Sequence, residues 1–207
     1  MKPAALLTLV SLAITSSGLF AQQPNTDFKI TGIKPDFLTT PEYSVNFGPK
    51  NKRVAKNKNF LEIEANFDWQ PKAAKPEFLD ELTFTYYVLL KNQDRENPKG
   101  TLLTGSVTHT AIPQEKGLSS VMYVSPRTLE RFFAGKVPTT VDQSVVDVAV
   151  TISSQGQLVA EASWKGKGQW WTSYQQVTGY VLNKNETPFG PLVWDYYEAI
   201  KARPAGQ

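Results

Sequence analysis

Phe60-Leu61-Glu62-Ile63-Glu64-Ala65-Asn66-Phe67-Asp68-Trp69 decides the fold. Leu61, Ile63, Ala65, Phe67 and Trp69 alternate strictly with Glu62, Glu64, Asn66 and Asp68. Successive side chains of a strand point to opposite faces, so this run sets one row against a core and the other toward water. A helix would scatter the same apolar residues around its girth.

The pattern recurs outward in both directions. Tyr43, Val45 and Phe47 alternate with Ser44 and Asn46, and Val146, Val148, Val150 and Ile152 with Asp147, Ala149 and Thr151. Leu158, Ala160, Ala162 and Trp164 alternate with Val159, Glu161 and Ser163. Ser153-Ser154-Gln155-Gly156-Gln157 between the last two runs reads as a β-hairpin connection. Further strands are expected at Phe28 to Ile33, Leu82 to Lys91, Thr101 to Ala111, Ser119 to Val124 and Gln176 to Leu182. The fold class is mainly β, with about nine strands and no crossover helices between them, so the sheets are expected to be antiparallel. Two facing sheets bury such alternating faces.

Two helices are expected among the strands. Ser125 caps the first, Pro126 opens it and Gly135 follows its end, with Leu129, Phe132 and Phe133 as its apolar stripe. The second runs from about Pro191 to Lys201, where Leu192, Tyr196 and Ile200 lie four apart. Loops are expected at Gly48 to Asn59, Gln70 to Pro76, Gln93 to Gly100 and Pro138 to Gln143.

Residues 1–21 read as a secretory signal peptide: Lys2, an apolar uncharged stretch, then the small residue Ala21. Residues 22–207 then form a single domain. Loss of Lys2 leaves 21 basic residues against 19 acidic ones, a net charge of +2. That balance argues against a nucleic-acid partner, which calls for a strong basic excess. With no cysteine, the fold has no disulfide and the leader no lipoprotein anchor. No membrane span is expected after cleavage, which places the chain in the periplasm, at the outer membrane or outside the cell.

Catalytic chemistry finds little to use. His109 is the sole histidine, so neither a multi-histidine metal site nor an HExxH motif can form. It shares the strand face of Val107 and reads as structural, and no G-x-S-x-G or S-x-x-K motif accompanies it. The pairs Glu62/Glu64, Asp80-Glu81 and Asp94/Glu96 are the only footing for a carboxylate-dependent hydrolase. Glu62 and Glu64 lie on the face expected to be wet, where nothing would shift their titration. No cofactor is expected, and Gly166-Lys167-Gly168 lacks the third glycine of a phosphate cradle.

Two constellations suit recognition. Lys50, Lys52, Arg53, Lys56 and Lys58 form a basic loop that is either solvated or a contact for anionic glycans, lipid headgroups or an acidic partner. Trp170, Trp171, Tyr174, Tyr180, Phe189, Trp194, Tyr196 and Tyr197 crowd one stretch near the C-terminus. Turned inward, these rings would seal the sandwich beneath the last helix. Turned outward, Trp170, Trp171 and Tyr174 would stack on sugars or grip a partner. On an extended backbone Trp170 and Trp171 face opposite ways, leaving one at the surface.

The segment Asn185-Glu186-Thr187-Pro188-Phe189-Gly190-Pro191-Leu192-Val193-Trp194-Asp195-Tyr196-Tyr197-Glu198-Ala199-Ile200-Lys201, with Phe60 to Trp69 and Ser125 to Phe133, resembles exported verrucomicrobial proteins encoded beside type IV pilus genes. The resemblance implies an immunoglobulin-like β-sandwich without established enzymatic activity. The cysteine pair of antibody domains is missing here, so only the broad architecture carries over. A pilin retains its apolar helix after processing, whereas here the apolar stretch precedes the cut. The resulting expectation is a non-catalytic envelope interaction protein, accessory to pilus-like assembly or adhesion. Its partner would be an envelope or pilus-system protein, or a host or cell-surface glycan. A glycan-binding module is the alternative, and a carboxylate hydrolase a further one.

Overall fold

A computed structural model describes residues 27–41, 44–45, 52–53, 57–72, 76–92, 99–166, 168–193 and 195–202. The expected leader, Tyr43, Phe47, Lys50, Lys56, Asp94, Glu96 and Trp194 lie outside the described residues.

Nine strands build two facing sheets. The first carries β1 (Phe28–Thr39), β4 (Asn59–Trp69), β7 (Leu118–Val124) and β11 (Val181–Asn183) in that order. The second runs β10 (Gln176–Thr178), β6 (Thr101–Pro113), β5 (Phe78–Leu90), β8 (Val145–Ser154) and β9 (Gln157–Ser163). β2 (Ser44–Val45) and β3 (Lys52–Arg53) form a separate small hairpin.

The alternation in β4 does what its period demands. Leu61, Ile63, Ala65 and Phe67 are fully buried and meet Leu82, Phe84, Tyr86 and Val88 of β5 in one core. The rings of Phe67 and Phe84 lie 4.9 Å apart across the two sheets. Each leucine, isoleucine, valine or phenylalanine among them contributes about 1.5–3 kcal/mol by leaving water, so these rows fix the register of both sheets. The β8–β9 hairpin turns at Gln155 (φ 50°) and Gly156 (φ 78°), a left-handed pair that matches strand twist.

The helix α1 (Pro126–Phe132) forms as the cap predicts, with Ser125 Oγ accepting from Thr128 N–H at 3.2 Å. Leu129 is fully buried, and Phe132 and Phe133 pack partly against the core. The expected loop at Pro138 to Gln143 instead runs into a single helical turn, α2 (Val141–Ser144).

Three expectations are corrected. β10 pairs with β6 in parallel, the exception to an otherwise antiparallel arrangement. It arrives by a long connection over the outer face, and the chain then crosses to the other sheet through Gly179 (φ 84°). Val146 does not share the face of Val148: a bulge near Leu89 and Leu90 gives Val145 the core position and turns Val146 outward toward Trp171. The described residues of 191–201 form no helix but turns and an extended end. Glu198 N–H donates to Ser119 O (3.1 Å), Thr110 N–H to Ala199 O (2.9 Å) and Lys201 N–H to Thr108 O (2.8 Å). An extended strap thus satisfies edge groups of β6 and β7 together, which a helix bonded to itself would leave open.

Gly105 of β6 lies where β11 crosses between the sheets. A Cβ there would collide with the Val181 carbonyl oxygen and side chain. Gly105→Ala should cost about 1–3 kcal/mol through overpacking, read as a Tm lower by roughly 2–12 °C, whereas Gly32→Ala costs far less. A Cβ at Gly32 would meet only the Asn66 side chain, at an ordinary 3.6 Å. Equal Tm values for the two variants would show that the seam is loosely packed.

Candidate functional site

The sandwich interior holds a polar chain that resembles catalytic machinery. His109 and Val107 point inward from β6, Tyr86 from β5 and Ser120 from β7. Tyr86 Oη donates to Ser120 Oγ at 2.8 Å. Ser120 Oγ lies 2.8 Å from His109 Nε2, and His109 Nδ1 lies 2.9 Å from Glu198 O. A carbonyl only accepts, so Nδ1 carries the imidazole proton and Nε2 accepts from Ser120. Each group in the chain is thereby satisfied.

A hydroxyl, an imidazole and an orienting acceptor in series match the roles of a nucleophilic triad. Burial prevents that use: Ser120 is 0% exposed and His109 1%. Burial also drives the imidazole pKa down to about 4, against the backbone bonds to Glu198 and Ala199, which raise it. His109 therefore stays neutral at pH 7 and pins the C-terminal strap to both sheets.

The outer face of the four-stranded sheet differs from the wet surface expected for Glu62 and Glu64. The C-terminal segment lies over it. Phe189 stacks on Tyr123 at 5.0 Å and meets Phe60 edge-on at 5.2 Å. Glu64 accepts from Tyr197 Oη (3.1 Å), Tyr196 Oη (3.4 Å) and Asn66 Nδ2 (3.1 Å). Burial raises the Glu62 carboxyl above its ordinary pKa, the Tyr123 hydrogen bond opposes this, and the nearby Glu64 and Asp36 charges add to it. These carboxylates anchor tyrosines. The sequence pattern missed this because the covering segment comes from more than 120 residues further along.

The crowded aromatics separate onto different surfaces rather than sealing one end. Trp170–Ser173 form a 3-10 turn, not an extended run. Trp171 is buried and stacks on Tyr87 at 5.4 Å against Leu89, Leu102 and Ala149. Trp170 is half-buried, edge-on to Trp171 (5.8 Å) and Tyr174 (6.0 Å), with its Nε1 donating to Ser163 Oγ. Asp147, buried on this outer face, holds the connection by accepting from Lys165 N–H (3.0 Å) and Ser163 Oγ–H (3.1 Å). Tyr180 stands elsewhere, against Phe132 and under the Arg131 guanidinium.

Of the basic loop, Lys52 and Arg53 lie on β3, and Lys58 pairs with Glu130 of α1 at 2.7 Å. Folding assembles a different cationic feature. Lys91, Arg131 and Lys136 line a groove of about 710 Å³ with Phe132, Phe133 and Gln143. The linear signal was weak, because Lys91 is 40 residues from Arg131 and meets it only through the fold. Among the described residues, no three of His, Cys, Asp and Glu come together as a metal-ligand group.

A protein-family model matches residues 20–204. The chain belongs to that family. No curated protein matches it. A crystal structure of a protein from Akkermansia muciniphila is similar, with a TM-score of 0.66 and 24% identity over 86% of this chain and 94% of that one. This likeness shows the sandwich fold, in a verrucomicrobial protein.

The buried imidazole makes stability depend on pH. Its folded pKa lies below the unfolded value near 6.5, so its contribution is complete above that pH and falls away toward pH 4. Glu62 and Glu198, both raised, act in the opposite sense. The measurement is therefore a difference: the unfolding free energy of wild type minus that of His109→Gln should fall by roughly 3 kcal/mol from pH 7 to pH 4. Urea titrations at each pH read it, and a constant difference would contradict the buried neutral imidazole.

Proposed function

We propose that this chain is an exported, non-catalytic recognition protein of the bacterial envelope, accessory to type IV pilus-like assembly or adhesion. The observation that carries the reading is the seal over Ser120 and His109, which removes the only serine–histidine pair from any substrate. Family membership and the verrucomicrobial fold match support it. No helix among the described residues is long and apolar enough to cross a membrane. The chain is held in place by its leader's export and by protein contacts at its surface, where loops and sheet edges do the recognising.

A second reading keeps the glycan module. It rests on Trp170 and Tyr174, whose half-buried rings offer faces that Trp171 has given to the core. The basic loop with Lys50, Lys52, Arg53, Lys56 and Lys58 remains a contact candidate for an acidic partner.

Two measurements test these readings. A fluorophosphonate serine probe should leave the native protein unlabelled, and labelling of Ser120 would contradict a non-catalytic role. Trp171→Ala should lose about 3–5 kcal/mol of stability, while Trp170→Ala folds with a smaller loss. If Trp170→Ala abolishes retention on a mucin-glycan column that holds wild type, the glycan module replaces the protein-binding reading. If wild type is never retained, the glycan module is removed.

A further inference from the structure

The groove beside α1 is built from three separate parts of the chain. Lys91 follows β5, and its backbone N–H donates to Ser144 O at 2.7 Å, which ties the strand end to α2. Arg131 closes α1, where its guanidinium donates to Tyr180 Oη at 2.7 Å and lies over the Tyr180 ring. Ala134 (φ 48°) and Gly135 (φ 79°) then turn the chain so that Lys136 N–H returns to Phe133 O at 2.9 Å. Phe132 and Phe133, half-buried, supply apolar surface between the cations, and Gln143 adds an amide.

Among the described residues, no ion pair engages Lys91, Arg131 or Lys136. Lys58, Lys165 and Lys201 each face a carboxylate, respectively Glu130, Asp142 and Glu81. No carboxylate is among the described residues lining the groove. Three cations lining one groove attract an incoming anion by their summed field.

From this we infer that the groove docks an acidic segment of a partner protein, with an apolar side chain beside its carboxylates. The inference deepens the recognition reading and rests on it. Two features choose a peptide over other anions. The cations are spread around an apolar centre, so a ligand must alternate charge with hydrophobic surface. A recess of about 710 Å³ admits a few side chains, within the range of ordinary ligand clefts, whereas a lipid surface needs a protruding face.

The test uses the mature chain and a fluorescein-labelled peptide alternating Asp or Glu with Phe and Leu, read by anisotropy. A matched peptide with Lys in place of the acids is the control. Wild type should bind the acidic peptide at least tenfold more tightly than the basic one, and more weakly at 500 mM than at 50 mM salt. Lys91→Glu and Lys136→Glu, both at exposed positions, should together weaken binding at least tenfold with Tm preserved. Equal affinity for the two peptides, or an unchanged affinity in the double variant, would overturn the inference. So would competition by inorganic phosphate at equal charge, or equivalent capture by phosphatidylglycerol vesicles. Tighter peptide binding by Asp94→Asn/Glu96→Gln would show the groove filled by the chain's own loop, and would also overturn it. A natural partner bound equally by wild type and double variant would leave the recognition reading standing while removing this site.

Discussion

Closure of this sandwich rests on a short run of backbone hydrogen bonds made by residues 198–201. Glu198 reaches β7 while Ala199 and Lys201 reach β6, so one strap spans the seam between sheets. Edge strands expose unpaired N–H and C=O groups, and leaving them so invites pairing with another chain. β10 and β11 cover one end of the β6 and β7 edges, and the strap covers the other. His109 supports the strap from beneath, because its Nδ1–H is the donor that fixes the Glu198 carbonyl. The Lys201–Glu81 ion pair adds a surface latch on β5. That pair is half-exposed, and such pairs contribute little.

The same constraint explains the chemistry. A serine, an imidazole and an orienting acceptor meet within hydrogen-bond distance, yet their purpose is to satisfy polar groups inside a core. Buried polar groups left unpaired cost about 1–3 kcal/mol each, so the chain Tyr86–Ser120–His109–Glu198 is complete from end to end. On the outer face, Glu62 and Glu64 are likewise drawn into hydrogen bonds with tyrosines that the C-terminal segment and β7 supply. One carboxylate pair that suggested hydrolysis in the linear chain, Glu62 and Glu64, is thus held by structural donors. Open at the described surface are a cationic groove and the half-buried faces of Trp170 and Tyr174, among other features.

Legibility in the sequence followed the range of the interactions. β4 and β5 were readable because one face of each meets the core without a break in period. The α1 cap was readable because Ser125, Pro126 and Gly135 act within a few residues of each other. Val146 was misplaced because a bulge is a property of the pair β5–β8, not of β8 alone. The C-terminal helix was misread because Leu192, Tyr196 and Ile200 keep helical spacing, while the edges of β6 and β7 decide the backbone. Tyr196 is in fact 53% exposed, and Val193 adopts a left-handed φ of 43°. The groove was invisible for the same reason, since Lys91 and Arg131 become neighbours only after both sheets form.

Native-state hydrogen exchange of the Thr110, Glu198 and Lys201 amides tests the central claim most directly. If the strap belongs to the cooperative fold, these amides should open with free energies close to those of Phe84 and Tyr86 in β5. Exchange at the rate of a fraying terminus, with β5 still protected, would show that the sandwich closes without the strap and that His109 has lost its structural role.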